Sequence, residues 1–122
     1  ITLIAGMAVI SHAIDVVLEA ISSSGRQELA SKLSKMVREE QEHVMFADDW
    51  AQLLLHDRGK IPHLFKEAIE SARKEAERWL EDVEGNQQLK QEGFIPENIP
   101  LVNQFRQRLR FLEEEGVKVN VG

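Results

Sequence analysis

The chain has 122 residues, 43% apolar and 30% charged, so it reads as one domain with a buried core, neither disordered nor membrane-embedded. Fifteen Lys and Arg against 21 Asp and Glu give a net charge of −6, which argues against a nucleic-acid binder with its basic footprint. There is no cysteine, which excludes disulfide scaffolds, thiol catalysis, iron–sulfur ligation and Cys-type zinc sites; almost all of the 7 Gly and 3 Pro fall between periodic segments, the mark of an all-α, cytoplasmic protein.

The first helix is expected from about Thr2 to Ser22, closed by Ser22-Ser23-Ser24-Gly25. It opens on an apolar run from Ile1 to Ile10, which at about ten residues is too short to span a bilayer. No basic region precedes the run, so it does not read as a signal peptide. A chain that begins at Ile1 inside such a run is expected to be the C-terminal part of a longer protein. A helix apolar nearly all round until Asp15 and Glu19 must be wrapped by other helices or by another subunit.

The second helix is expected from about Gln27 to His56, ending at Asp57-Arg58-Gly59. Leu29, Leu33, Met36, Glu40, His43, Ala47, Trp50 and Leu54 follow alternating steps of four and three along it, forming one continuous seam. Pro62 suits the first turn of a third helix, which runs to about Glu84. Phe65, Ile69, Ala76, Trp79 and Leu80 form its apolar face, while Glu70, Arg73, Lys74 and Glu77 belong to a solvated face. After Gly85 a polar link spans Asn86 to Glu92. A fourth helix starts near Glu97 to Ile99, carries Phe105, Leu109 and Leu112 as its stripe and ends at Gly116. The tail Val117 to Val121 alternates but is too short to form a sheet alone. The pattern gives four helices in two hairpins, a ferritin-like antiparallel bundle in a single domain over residues 1–122.

One stretch carries chemistry, Arg38-Glu39-Glu40-Gln41-Glu42-His43. Glu40 and His43 stand three apart, so both side chains point the same way from a helix and can reach one metal ion. In ferritin-like di-iron bundles two helices supply such Glu-x-x-His pairs and two others supply single Glu residues. Mixed carboxylate and imidazole ligands suit iron, with manganese as the alternative. A Glu-rich helix stretch is more often a solvated face, and a single His near an apolar face is more often a core residue. Register argues for the metal, because both residues lie on the seam, where a carboxylate needs a partner. Glu39 and Glu42 fall off the seam as solvated or supporting groups.

In a hairpin turning near Gly25, residues 7–12 face residues 40–43 and offer Met7, Ser11 and His12 but no carboxylate. His12 is a candidate ligand or a core histidine, with the core reading favoured; Asp15 reaches the site only with an unusual helix offset. His56 and His63 read as surface residues, and Trp50 and Trp79 as core anchors. The chain therefore holds at most half of a di-iron site.

Lys35 to His43, followed by Ala47 to Trp50, resembles the last di-iron-type helix of the phenylacetyl-CoA epoxidase A and C subunits. The apolar helix before it, the hairpin after it and the closing segment from Leu112 to Val121 are similar to the C-terminal half of those subunits. The resemblance implies a ferritin-like subunit of a multicomponent oxygenase that adds one oxygen atom across the ring of an aryl-CoA such as phenylacetyl-CoA, with Glu40 and His43 as iron ligands. The alternative it implies is a metal-free structural subunit, since the family contains a paralogous subunit that has lost its metal. The helix facing Glu40 departs from the family pattern by lacking a carboxylate. A third reading is a small iron-binding protein that completes its site by dimerising. Each reading calls for a homo-oligomer or a paralogous ferritin-like partner, and for neither nucleic acid nor membrane.

Overall fold

The computed structural model describes residues 1–121, with side chains for residues 1–110 and Leu112. It has five helices, α1 (Thr2–Ser22), α2 (Gln27–Leu55), α3 (Ile61–Glu84), α4 (Gln87–Gln91) and α5 (Leu101–Val121), and no strand among the described residues. The protein is an all-α helical bundle.

The first three helices begin and end where local chemistry dictates. α1 stops at the serine run, with Ser23 Oγ donating back to the Ala20 carbonyl at 3.1 Å. α3 takes Pro62 into its first turn, where its missing N–H leaves no bond unmade. The fourth helix differs from expectation. Asn86 caps a short α4 by accepting from the Leu89 N–H at 3.0 Å, so a link that reads as polar coil contains a turn of helix. α4 then closes on Gly93 at φ +76°, with Gly93 N–H to the Lys90 carbonyl at 3.1 Å and Phe94 N–H to the Leu89 carbonyl at 2.9 Å. Pro96 and Pro100 keep the intervening segment out of helix, which delays α5 to Leu101. α5 continues through Gly116 and takes in the alternating tail. An interior glycine weakens a helix by only about 1 kcal/mol, too little to end it.

α1 is the central element and packs against α2, α3 and α5. Val9, Val16, Phe65, Ile69, Leu80, Leu101 and Phe105 are its largest fully buried neighbours and members. Ala5 and Ala8 on α1 and Ala47 and Ala51 on α2 are buried almost completely, so the helices approach closely there. The α3–α5 contact is polar as well as apolar. Glu77 is buried rather than solvated, because α5 brings Arg106 Nε to 2.5 Å from it and Arg73 reaches it at 2.8 Å from its own helix.

The seam of α2 is only partly closed. Of its members only Ala47 is buried and Met36 is exposed; elsewhere on α2, Ala51 and Leu55 are buried while Phe46 and Leu53 are exposed. Trp50 and Trp79, expected as core anchors, are each 43% exposed. The reason is helix facing. α2 turns its alanines to α1, which leaves Trp50 on the flank. Trp79 borders an apolar cavity between α1 and α3 with Gly6, Ile10 and Ala72 instead of filling the core. Leu3, Met7 and Ile10 of α1 are exposed too.

α1 is also long and apolar enough to cross a membrane by length and composition, with a mean hydropathy of 1.8 and half of that window buried inside the bundle. The apolar run thus extends well past Ile10, because Ala13, Ile14 and Val16 to Leu18 continue it around His12 and Asp15.

Candidate functional site

Glu40 and His43 lie one turn apart on α2, and His43 Nδ1 stands 3.2 Å from Glu40 Oε2. Their settings differ. The Glu40 side chain is 13% exposed, whereas that of His43 is 67% exposed. A carboxylate tucked against the bundle beside an open imidazole suits metal binding in two ways. An ion between the side chains takes one ligand from each. Alternatively Nδ1–H donates to Glu40, which fixes the ring and leaves Nε2 as an outward ligand. Glu39 does not share this geometry; it lies on the exposed side and pairs with Lys35 at 3.9 Å.

His12 and Asp15 are placed elsewhere. His12 Nε2 meets Asp48 Oδ1 at 2.8 Å, well past residues 40–43 along α2. The register expected from a turn at Gly25 is therefore displaced, and His12 is a buried residue at 6% exposure with a structural partner. Asp15, 3% exposed, and Glu19 both accept from the Arg108 guanidinium of α5. Burial of Arg108 lowers its pKa, but the hydrogen bonds it donates to Glu19 and Asp15 outweigh that and raise it above the ordinary arginine value. His56 is also not a plain surface residue; its Nδ1 lies 2.6 Å from the Gln52 carbonyl in a half-buried position. His63 is exposed and pairs with Glu67 at 2.9 Å.

The sequence candidates thus fall into two groups, Glu40 with His43, and His12 with Asp15. Among the described residues no cluster of three or more His, Asp or Glu side chains is placed to hold a metal ion. Sequence reasoning missed Asp48, Gln52, Gln104, Gln107 and Arg108, which together with His12 and Glu19 line a cleft of about 480 Å³ between α1, α2 and α5. The available signal was on α1, where His12, Asp15 and Glu19 recur at steps of three and four in an otherwise apolar helix. The chain matches no protein-family model, no curated protein and no solved structure.

Proposed function

We propose that the chain is a ferritin-like subunit of a multicomponent di-iron-type ring oxygenase acting on an aryl-CoA such as phenylacetyl-CoA, with Glu40 and His43 as its metal ligands. The observation that carries this reading is their juxtaposition at 3.2 Å, on a helix whose neighbouring Met36, Phe46 and Trp50 are apolar and exposed. A Glu beside a His within an unburied apolar stripe suits a half-site against which another helical element docks. The donor set fits iron, or manganese, as two ligands of one ion, and the remaining ligands belong to that other element. Bound iron would supply the activation of dioxygen; Glu40 and His43 would hold it and fix its position. The bundle's exposed apolar residues on α1 and α2 support an oligomer, either of this chain or with a paralogous ferritin-like subunit.

A second reading, the metal-free structural subunit of the same kind of complex, is favoured by the absence of a third ligand among the described residues. Anaerobic Fe(II) loading and desalting of wild type and of the Glu40→Ala/His43→Ala double variant separates the two. Iron near one or two per chain, lost in the variant, supports the metal-binding reading. Retention only in a dimeric fraction points to a site completed by a second copy. Equally empty wild type and variant remove the ligand assignment and leave the structural subunit.

A further inference from the structure

The cleft between α1, α2 and α5 opens to the surface and reaches inward to the buried His12. Apart from the Glu77–Arg106 pair between α3 and α5, the buried helix interfaces elsewhere are built from Ala, Val, Ile, Leu and Phe. Here seven of the eight lining residues are polar, and only Leu112 is not. Its volume of about 480 Å³ falls in the range of small-molecule sites, which place a few convergent polar groups in a concave space.

The orphaned atoms define what would fit. His12 Nδ1, Asp15 Oδ1 and Gln52 Oε1 are buried and have no hydrogen-bond partner. His12 is itself more than nine-tenths buried and lines the cleft. Buried polar groups are ordinarily satisfied, so two orphans on residues that line the cleft, His12 Nδ1 and Gln52 Oε1, call for a ligand. Gln52 Oε1 is an acceptor. With Nε2–H of His12 donating to Asp48, Nδ1 is an acceptor as well. The charge agrees, because two carboxylates, Glu19 and Asp48, line the cleft against the one guanidinium of Arg108. Arg108 already shows the chemistry the cleft attracts, a planar organic cation donating to two carboxylates of α1.

We propose that this cleft binds a small, donor-rich organic cation of the alkyl diamine class. One ammonium group donates to Asp48 and Gln52 on the α2 side, while the second reaches Glu19 at the mouth. Apolar contact with Leu112 accommodates the methylene chain. The site is separate from Glu40 and His43 and stands whether or not these bind metal.

Calorimetric titration of the full chain with putrescine tests the proposal, with 1,4-butanediol as a neutral analogue of the same length. Putrescine is expected to bind at one saturable site and to shift the His12 ring resonances, and the diol to bind at least tenfold more weakly, an estimate from the loss of charge-assisted hydrogen bonds. Asp48→Asn keeps an acceptor for His12 and removes one charge, and should weaken putrescine binding by about tenfold, one charge-assisted hydrogen bond. Should that variant not fold, Glu19→Gln at the mouth gives the same reading. Absence of saturable binding to folded wild type overturns the proposal. So does affinity unchanged in a folded Asp48→Asn or Glu19→Gln variant, or equal binding of the diol.

Discussion

His12 with Asp48 and His43 with Glu40 are the same chemical pair in two opposite settings. The first joins residues 36 positions apart across α1 and α2, with the imidazole buried. The second joins residues three apart on one helix, with the imidazole open. Their difference separates structural from available chemistry. A buried imidazole bonded to a neighbouring helix sets the register of a hairpin, and removing it leaves unsatisfied groups behind. An exposed imidazole on the same helix as its carboxylate holds nothing else in place and is free to meet a ligand. The His12–Asp48 bond therefore ties α1 to α2, whereas the Glu40–His43 bond stays within α2.

The largest expected effect breaks the buried side of this contrast. Arg108→Ala strands the Asp15 carboxylate in the interior and should destabilise the protein by about 3–5 kcal/mol, measured by urea denaturation. A loss below about 1 kcal/mol would mean that the α1–α5 ion pairs are solvated. His12→Ala comes next, at about 1–3 kcal/mol, through the lost Asp48 bond and the cavity left beside α2.

Acid titration gives a third, smaller effect at the α3–α5 contact. The Arg106 hydrogen bond lowers the pKa of Glu77; burial opposes this and Arg73 adds to it, so that the folded-state value lies below the usual 4.5. Its contribution to stability is complete above that value and disappears as pH falls through the folded-state pKa. Melting temperature should therefore drop less steeply in Glu77→Gln than in wild type below about pH 4.5. Parallel acid profiles would remove the Glu77–Arg106 pair from the account. The smallest effect sharpens the contrast from the other side. His43→Ala should stay within about 0.5 kcal/mol of wild type in the same urea experiment, because it breaks no contact between helices.

The first three helices were legible almost to the residue, since Ser22-Ser23-Ser24-Gly25, Asp57-Arg58-Gly59 and Pro62 act locally on the chain that carries them. The proximity of Glu40 and His43 was legible for the same reason, as a consequence of helical pitch alone. α4 was not, because it depends on one Asn86 cap and one Gly93 turn around only five residues. The cleft was invisible because it depends on the register between α1 and α2 and on where α5 lies. The closing alanines of α2 seat on α1 beyond where a hairpin folded at Gly25 would place them, and nothing in the local pattern encodes that slide. The same slide exposes Met36 and Trp50, which a seam drawn from spacing would bury.

Arg26 shows how such long-range arrangement is finished. Its guanidinium donates to the Glu92 carbonyl at 3.1 Å and lies 5.0 Å from the Phe94 ring centroid, joining the α1–α2 connection to the turn after α4 across 66 residues. Closing so long a loop is entropically unfavourable until the intervening helices are already docked. The contact therefore belongs to the final stage of folding and works as a latch on a finished molecule. Arg26→Ala should leave the refolding rate unchanged and speed unfolding, so that the latch governs how long the native state lasts rather than how fast it is reached.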